Sequence, residues 1–209
     1  MHVQWYFDFI SPFAWLQLHR LSALRERATV EPVPILFAAV LDTLGQLGPA
    51  EIPGKRDFTY RFVQWRAERQ RIPLRFPPAH PFNPLTALRL SIAAGTRWDA
   101  VERVFAHIWE HGRAADSIDA LRDTAAALGI GDVETALAAD HVKQQLRANT
   151  EQALADGVFG VPTLRIGEAL FWGEDATAMA LEHLDDPQRF ERGEYARIAT
   201  LPQAVQRRR

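Results

Sequence analysis

The 209-residue chain contains no cysteine. That excludes disulfides, zinc–thiolate sites, iron–sulfur clusters and any protein-borne thiol nucleophile, and it suits a reducing compartment. A basic excess is missing too: 24 Lys and Arg stand against 26 Asp and Glu, a formal net charge of −2. Dedicated nucleic-acid and membrane-surface binders usually carry a basic excess, so neither partner is expected. No apolar run approaches the roughly 18 residues that a membrane span requires. The start, MHVQWYFDFI, has no basic segment ahead of its apolar residues and does not read as a signal peptide. A cytoplasmic protein is expected. Internal repeats and low-complexity segments are absent. Residues 206–209 (QRRR) read as a frayed basic tail, too short for a nucleic-acid site.

What is present alternates between two periods. Residues 3–9 are aromatic and β-branched, as in a buried strand. Ser11 suits the N-cap of a following helix, and Pro12 its first position, where the missing N–H costs nothing. Leu16, Leu18, Leu21 and Leu24 carry that helix to about Arg27. Residues 30–37 (VEPVPILF) form a second strand, its Pro32 and Pro34 favouring an edge. Residues 43–57 and 72–84 are loops by their Gly and Pro content. Helices are expected over 58–71, 85–94, 98–109, 117–128, 132–139 and 140–156, with Gly157 as a C-terminal cap. Residues 162–166 and 169–172 then form a β-hairpin, followed by a helix over 174–184 and a polar tail over 186–209 with room for one short helix. This order predicts an α/β fold. A thioredoxin-like domain of residues 1–40 and 157–209 carries an inserted all-helical domain of residues 41–156. A right-handed β–α–β crossover makes the first two strands parallel.

Sites in open α/β sheets lie beyond the carboxyl ends of strands, which points to Phe9, Ile10 and Ser11. Ser11 can be a plain helix cap, or it can hold an anion at a positive helix end. Ala14 stands where a capping-box Glu would sit, so no reciprocal pair marks the cap as purely structural. Val161–Pro162 at a strand start is a candidate cis peptide beside a site, with an ordinary trans proline as the alternative. Glu174 and Asp175 can cap a helix or receive an ammonium group. His107-Ile108-Trp109-Glu110-His111 fits H-x-x-E-H, but no third ligand motif follows, so a surface helix is expected and no metal.

FDFISPFAWL at 7–16, LGPAEIPGKR at 47–56, GVFGVPT at 157–163 and FWGED at 171–175 together resemble the 2-hydroxychromene-2-carboxylate isomerases. These are relatives of the kappa-class glutathione transferases within the DsbA-like branch of the thioredoxin superfamily. The resemblance implies glutathione as cofactor. It gives Ser11 the glutathione sulfur, held as thiolate, and Val161 with Pro162 the cysteinyl backbone. Gly173, Glu174 and Asp175 take the γ-glutamyl end, Asp175 its ammonium. Gln46 stands where many relatives have an Asn that touches glutathione. Leu41 lies where a substrate-facing lysine is found, which leaves Lys55 and Arg56 as partners for a substrate carboxylate. Phe13, Trp15, Phe82 and Trp172 are candidate aromatic walls. The partners implied are glutathione and a small aromatic carboxylate, and a homodimer is compatible with the family. The activity implied is isomerisation in aromatic degradation. A kappa-like transferase or peroxidase and a non-catalytic DsbA-fold binding protein are the alternatives.

Overall fold

The computed structural model describes residues 1–205; residues 206–209, the basic tail, lie outside the described part. The strands are β1 (His2–Phe7), β2 (Thr29–Pro34), β3 (Thr163–Ile166) and β4 (Ala169–Trp172). The helices are α1 (Pro12–Leu18), α2 (Ser22–Arg25), α3 (Phe37–Leu44), α4 (Pro53–Gln70), α5 (Leu85–Ala93) and α6 (Trp98–Phe105). They continue as α7 (Ile118–Ala127), α8 (Val133–Ala138), α9 (Asp140–Ala155), α10 (Thr177–Asp185) and α11 (Glu194–Ala199). A π-helical turn, Ala106–Glu110, extends α6. Among the described residues no helix is long and apolar enough to cross a membrane.

One sheet, in the order β2-β1-β3-β4, organises the chain. β1 is parallel to β2 and antiparallel to β3, and β3 forms a hairpin with β4. The expected parallel pair and hairpin are both present, and Pro32 and Pro34 do sit on an edge strand. All of α3 to α9 lies between β2 and β3.

β1 sits inside the sheet, with Val3, Trp5 and Phe7 buried on one face and Tyr6 on the other. Val3, Trp5 and Phe7 join the main core, while Tyr6 turns to a second core with Val33, Ile35, Val40 and Val158. Phe105 of α6 closes the main core over the strand. Its ring centre lies 5.9 Å from Trp5, 5.5 Å from Phe7, 4.6 Å from Phe9 and 6.4 Å from Trp15. The helical insertion and the sheet therefore share one hydrophobic interior.

Of the boundaries that differ from the sequence reading, three have a plain physical reason. The first helix breaks after Leu18, where Arg20 N–H and Leu21 N–H make tight bonds to the carbonyls of Gln17 and Leu18. The stripe Leu16, Leu18, Leu21 and Leu24 does not hold one helical face, and the break lets all four side chains be buried. β2 stops at Pro34 because the chain beyond it has other partners. Leu36 N–H donates to Thr150 Oγ1 and Phe37 N–H to Asp8 Oδ2, which starts α3. α4 begins at Pro53, inside the segment read as loop, since proline at the first helical position satisfies a helix start.

Phe105→Ala removes a ring that four aromatic neighbours enclose. It is expected to lower unfolding stability by about 3–5 kcal/mol in urea denaturation.

Candidate active site

β1 delivers the chain to a three-residue turn, Asp8-Phe9-Ile10, and then to Ser11 at the start of α1. Asp8 and Phe9 are fully buried, so the polar groups of the turn must find partners inside the protein. They do. Asp8 Oδ1 accepts Ile10 N–H at 3.0 Å, and Asp8 Oδ2 accepts Phe37 N–H at 2.9 Å. The Asp8 carbonyl accepts Ser11 N–H at 3.1 Å. Trp109 Nε1 donates to the Phe9 carbonyl at 2.8 Å. His80 Nε2 donates to the Ile10 carbonyl at 2.8 Å.

Ser11 is the N-cap, as expected: its Oγ accepts Ala14 N–H at 3.2 Å. The same hydroxyl lies 3.5 Å from the Val161 carbonyl. That distance is at the outer limit of a hydrogen bond, so the hydroxyl proton is held only weakly. Val161–Pro162 is cis, as expected, and so is His80–Pro81. Pro162 in turn accepts Gly173 N–H at 2.9 Å. Two hydrogen bonds thus draw residues 11, 161–162 and 173–175 into one place, although 150 residues separate the first two.

Gln17 fixes the third segment. Its Oε1 accepts Trp5 Nε1–H at 2.8 Å, and its Nε2 donates to the Gly173 carbonyl at 3.0 Å and to Thr177 Oγ1 at 3.1 Å. Gly173 has φ +97, a conformation that L side chains rarely adopt. Glu174 points inward and is 1% exposed. Its Oε1 takes Arg20 Nη1 at 2.9 Å and Gln70 Nε2 at 3.0 Å, and its Oε2 takes Arg66 Nη2 at 2.5 Å. Its side chain is therefore engaged inside the protein by this network. Asp175 is exposed, with no ion-pair partner among the described residues.

The remaining predicted residues are spread around this centre. Phe13 is half-buried, its ring 6.3 Å from Phe62. Phe82 is half-buried, 6.2 Å from His80. Trp172 is 56% exposed, edge-on to Phe159 at 5.2 Å, and its indole fills the space a side chain at Gly160 would need. Trp15 is a core residue whose Nε1 donates to the Pro73 carbonyl at 2.8 Å. Gln46 lies in the exposed loop after α3, and Lys55 in the exposed first turn of α4. Neither shares a hydrogen bond or ion pair with the Ser11 turn among the described residues. The H-x-x-E-H segment is not a surface helix. It forms the π-turn, and His107 is buried with its Nε2 on the Ala114 carbonyl and its Nδ1 on Thr124 Oγ1.

Sequence reasoning missed Asp8, Gln17, His80 and Trp109. Asp8 had a visible signal, a lone carboxylate between Phe7 and Phe9 at the end of a buried strand. Burial pushes its carboxyl up to about 7, against backbone amides of Phe37, Ile10 and Phe9 that favour the charged form. Burial lowers His80 below the usual histidine range, which keeps it neutral.

Residues 2–185 match the model of the DSBA-like thioredoxin domain. A 2-hydroxychromene-2-carboxylate isomerase from Pseudomonas sp. (strain C18) is 32% identical over 184 residues, covering 85% of this chain and 87% of the relative. Glutathione s-transferase kappa 2 from Caenorhabditis elegans is 25% identical over 207 residues, covering 88% of this chain and 92% of the relative. A solved 2-hydroxychromene-2-carboxylate isomerase superposes with a TM-score of 0.78 at 27% identity, covering 95% of this chain and 99% of that one.

Asp8 carries a pH prediction. Its folded value, about 7, exceeds the ordinary carboxyl value of 3.8. The folded state therefore holds the proton more tightly, and stability falls as pH rises from about 4 to about 7, then levels off. The span corresponds to roughly 4 kcal/mol. Asp8→Asn cannot titrate, and its urea-denaturation free energy is expected to follow a flatter pH curve than wild type over that window.

Proposed function

We propose, for a chain that belongs to the DSBA-like thioredoxin domain family and within it to the 2-hydroxychromene-2-carboxylate isomerases, that it is a cytoplasmic, glutathione-dependent isomerase of hydroxychromene-carboxylate-type intermediates of aromatic degradation. The observation that carries the reading is the Ser11 hydroxyl 3.5 Å from the Val161 carbonyl, with Pro162 bonded on to Gly173. This gathers a weakly engaged O–H, the backbone at the cis Val161–Pro162 bond and the exposed Asp175 carboxylate, which has no ion-pair partner among the described residues. Those are the groups needed for a thiol, a peptide backbone and an α-ammonium.

The donor set fits glutathione. The protein has no thiol of its own, and where a dithiol oxidoreductase needs two cysteines this chain has Ser11-Pro12-Phe13-Ala14. When bound, glutathione would supply a thiolate that adds reversibly to a conjugated C=C bond, leaving a single bond about which rotation is cheap. Ser11 would donate its hydroxyl proton toward the sulfur and favour its ionised form. Val161 would pair its backbone with the cysteinyl unit, as an edge strand does. Asp175 would take the ammonium in a charge-assisted bond. Phe13, Phe82 and Trp172 would offer apolar surface for an aromatic substrate, Lys55 or Arg56 would meet its carboxylate, and Gln46 would contact glutathione.

The kappa-class relative supports a second reading, a glutathione transferase acting on electrophiles. Turnover assays with glutathione against hydroxychromene carboxylates and against transferase electrophiles separate the two. Isomerisation of the former is the expected result, and conjugation of the latter alone selects the transferase.

Two substitutions test the site. Asp175→Ala is expected to weaken glutathione binding by about 1–3 kcal/mol in calorimetry; an unchanged Kd removes Asp175 from the binding site. Ser11→Ala is expected to lower turnover and raise the pKa of the bound thiol with affinity nearly intact. Full wild-type turnover without glutathione, abolished by Ser11→Ala, would make Ser11 itself the nucleophile.

A further inference from the structure

The carbonyls of Phe9 and Ile10, the two immediately before Ser11, are each held by an N–H donor from the helical insertion. Trp109 takes Phe9 and His80 takes Ile10. The two contacts are not equivalent. The Ile10 carbonyl belongs to the peptide plane that ends at the Ser11 nitrogen, so its direction sets the Ser11 Cα and the aim of the hydroxyl. Trp109 acts one peptide further back.

His80 is built into this contact. A carbonyl only accepts, so Nε2 carries the hydrogen. Nδ1 is then the acceptor, and Tyr60 Oη lies 2.7 Å from it. The phenol is also 2.7 Å from the His80 carbonyl, to which Arg56 Nη2 donates at 3.2 Å. Aromatic rings of Tyr60, Phe76, Phe82 and Trp109 stand 5.3–6.2 Å from the imidazole centre. The ring is thus fixed in tautomer and in place. Nothing in this arrangement touches Ser11 directly, yet every part of it converges on the peptide that carries Ser11.

We infer that His80 is a positioning residue for the reaction, which fixes the Ile10–Ser11 peptide and so aims the Ser11 hydroxyl at the glutathione sulfur. A second effect has the same sign. With its lone pair engaged by Nε2–H, the Ile10 carbonyl presents less negative potential to a neighbouring thiolate. The inference rests on the reading that glutathione binds with its sulfur at Ser11.

The test compares wild type, His80→Phe and His80→Gln, using glutathione itself as the probe. Calorimetry gives Kd, and the ultraviolet absorbance of the thiolate gives the pKa of the bound thiol. His80→Phe keeps a ring but loses the donor, and its bound-thiol pKa is expected to rise by about one unit, roughly a tenfold loss of thiolate. Its kcat is expected to fall by a similar factor, with Kd changed less than about threefold. His80→Gln restores an N–H and recovers part of both. A folded His80→Phe with a wild-type thiol pKa overturns the role. Should that variant not fold, Tyr60→Phe replaces it: freeing Nδ1 loosens the ring, the thiol pKa rises in the same direction, and no change overturns the role. Wild-type protein that binds no glutathione takes down the parent reading and this one together. Binding with an unaltered pKa in the variants removes only His80.

Discussion

β1 is covered on both faces and paired on both edges, and the turn that leaves it inherits that enclosure. Water cannot solvate Asp8 or Phe9, so each polar group there must be met by another part of the chain. This one constraint explains why a carboxylate sits in the core at the end of an aromatic strand. It also explains why an indole and an imidazole reach in from the insertion. The serine that follows is held by the same contacts that satisfy the buried backbone. Stability and the geometry of the Ser11 turn rest on the same set of hydrogen bonds.

The segment after β4 is organised by charge. Glu174 is buried with two arginines and a glutamine, and one of those arginines, Arg66, and Gln70 belong to α4. A buried carboxylate without partners is costly, and breaking such a set by removing one member is strongly destabilising. The network therefore locks the segment after β4 against α4 from outside the sheet, while Gln17 locks it from α1. Asp175, the next residue, is exposed at that edge and has no ion-pair partner among the described residues.

Much of this was legible in the residues, where the signal is local. The strand, the Ser11-Pro12 helix start, the hairpin and the Val161–Pro162 step each depend on neighbours within a few positions. Periodicity and turn chemistry report those well. The failures also have a common cause. The helix break after Leu18 and the early end of β2 follow from burial and from bonds to Thr150 and Asp8, which no local window contains. His80 sits in a proline-rich loop and Trp109 on an amphipathic helix, and both look like ordinary packing residues until the fold brings them 70 and 100 positions back to Ile10 and Phe9. Glu174 reads as a ligand contact from its position and proves to be a buried ionic partner, because the arginines that claim it lie far off in sequence.

That the grips on Phe9 and Ile10 come from the insertion bears on how this architecture can be rearranged. The sheet, with α1 and α10, looks like a portable cassette: strands, capped helix and hairpin all lie outside residues 35–162. Grafted alone onto another scaffold, it would keep every residue of the serine turn and lose three of the donors that shape it, the Phe37 amide, His80 and Trp109, together with the Val161 carbonyl. An exchange of the helical segment between relatives would have the same effect unless an indole and an imidazole arrived at matching places. The inserted helices are thus not freely interchangeable decoration, because they and the loops between them carry donors that complete the serine turn.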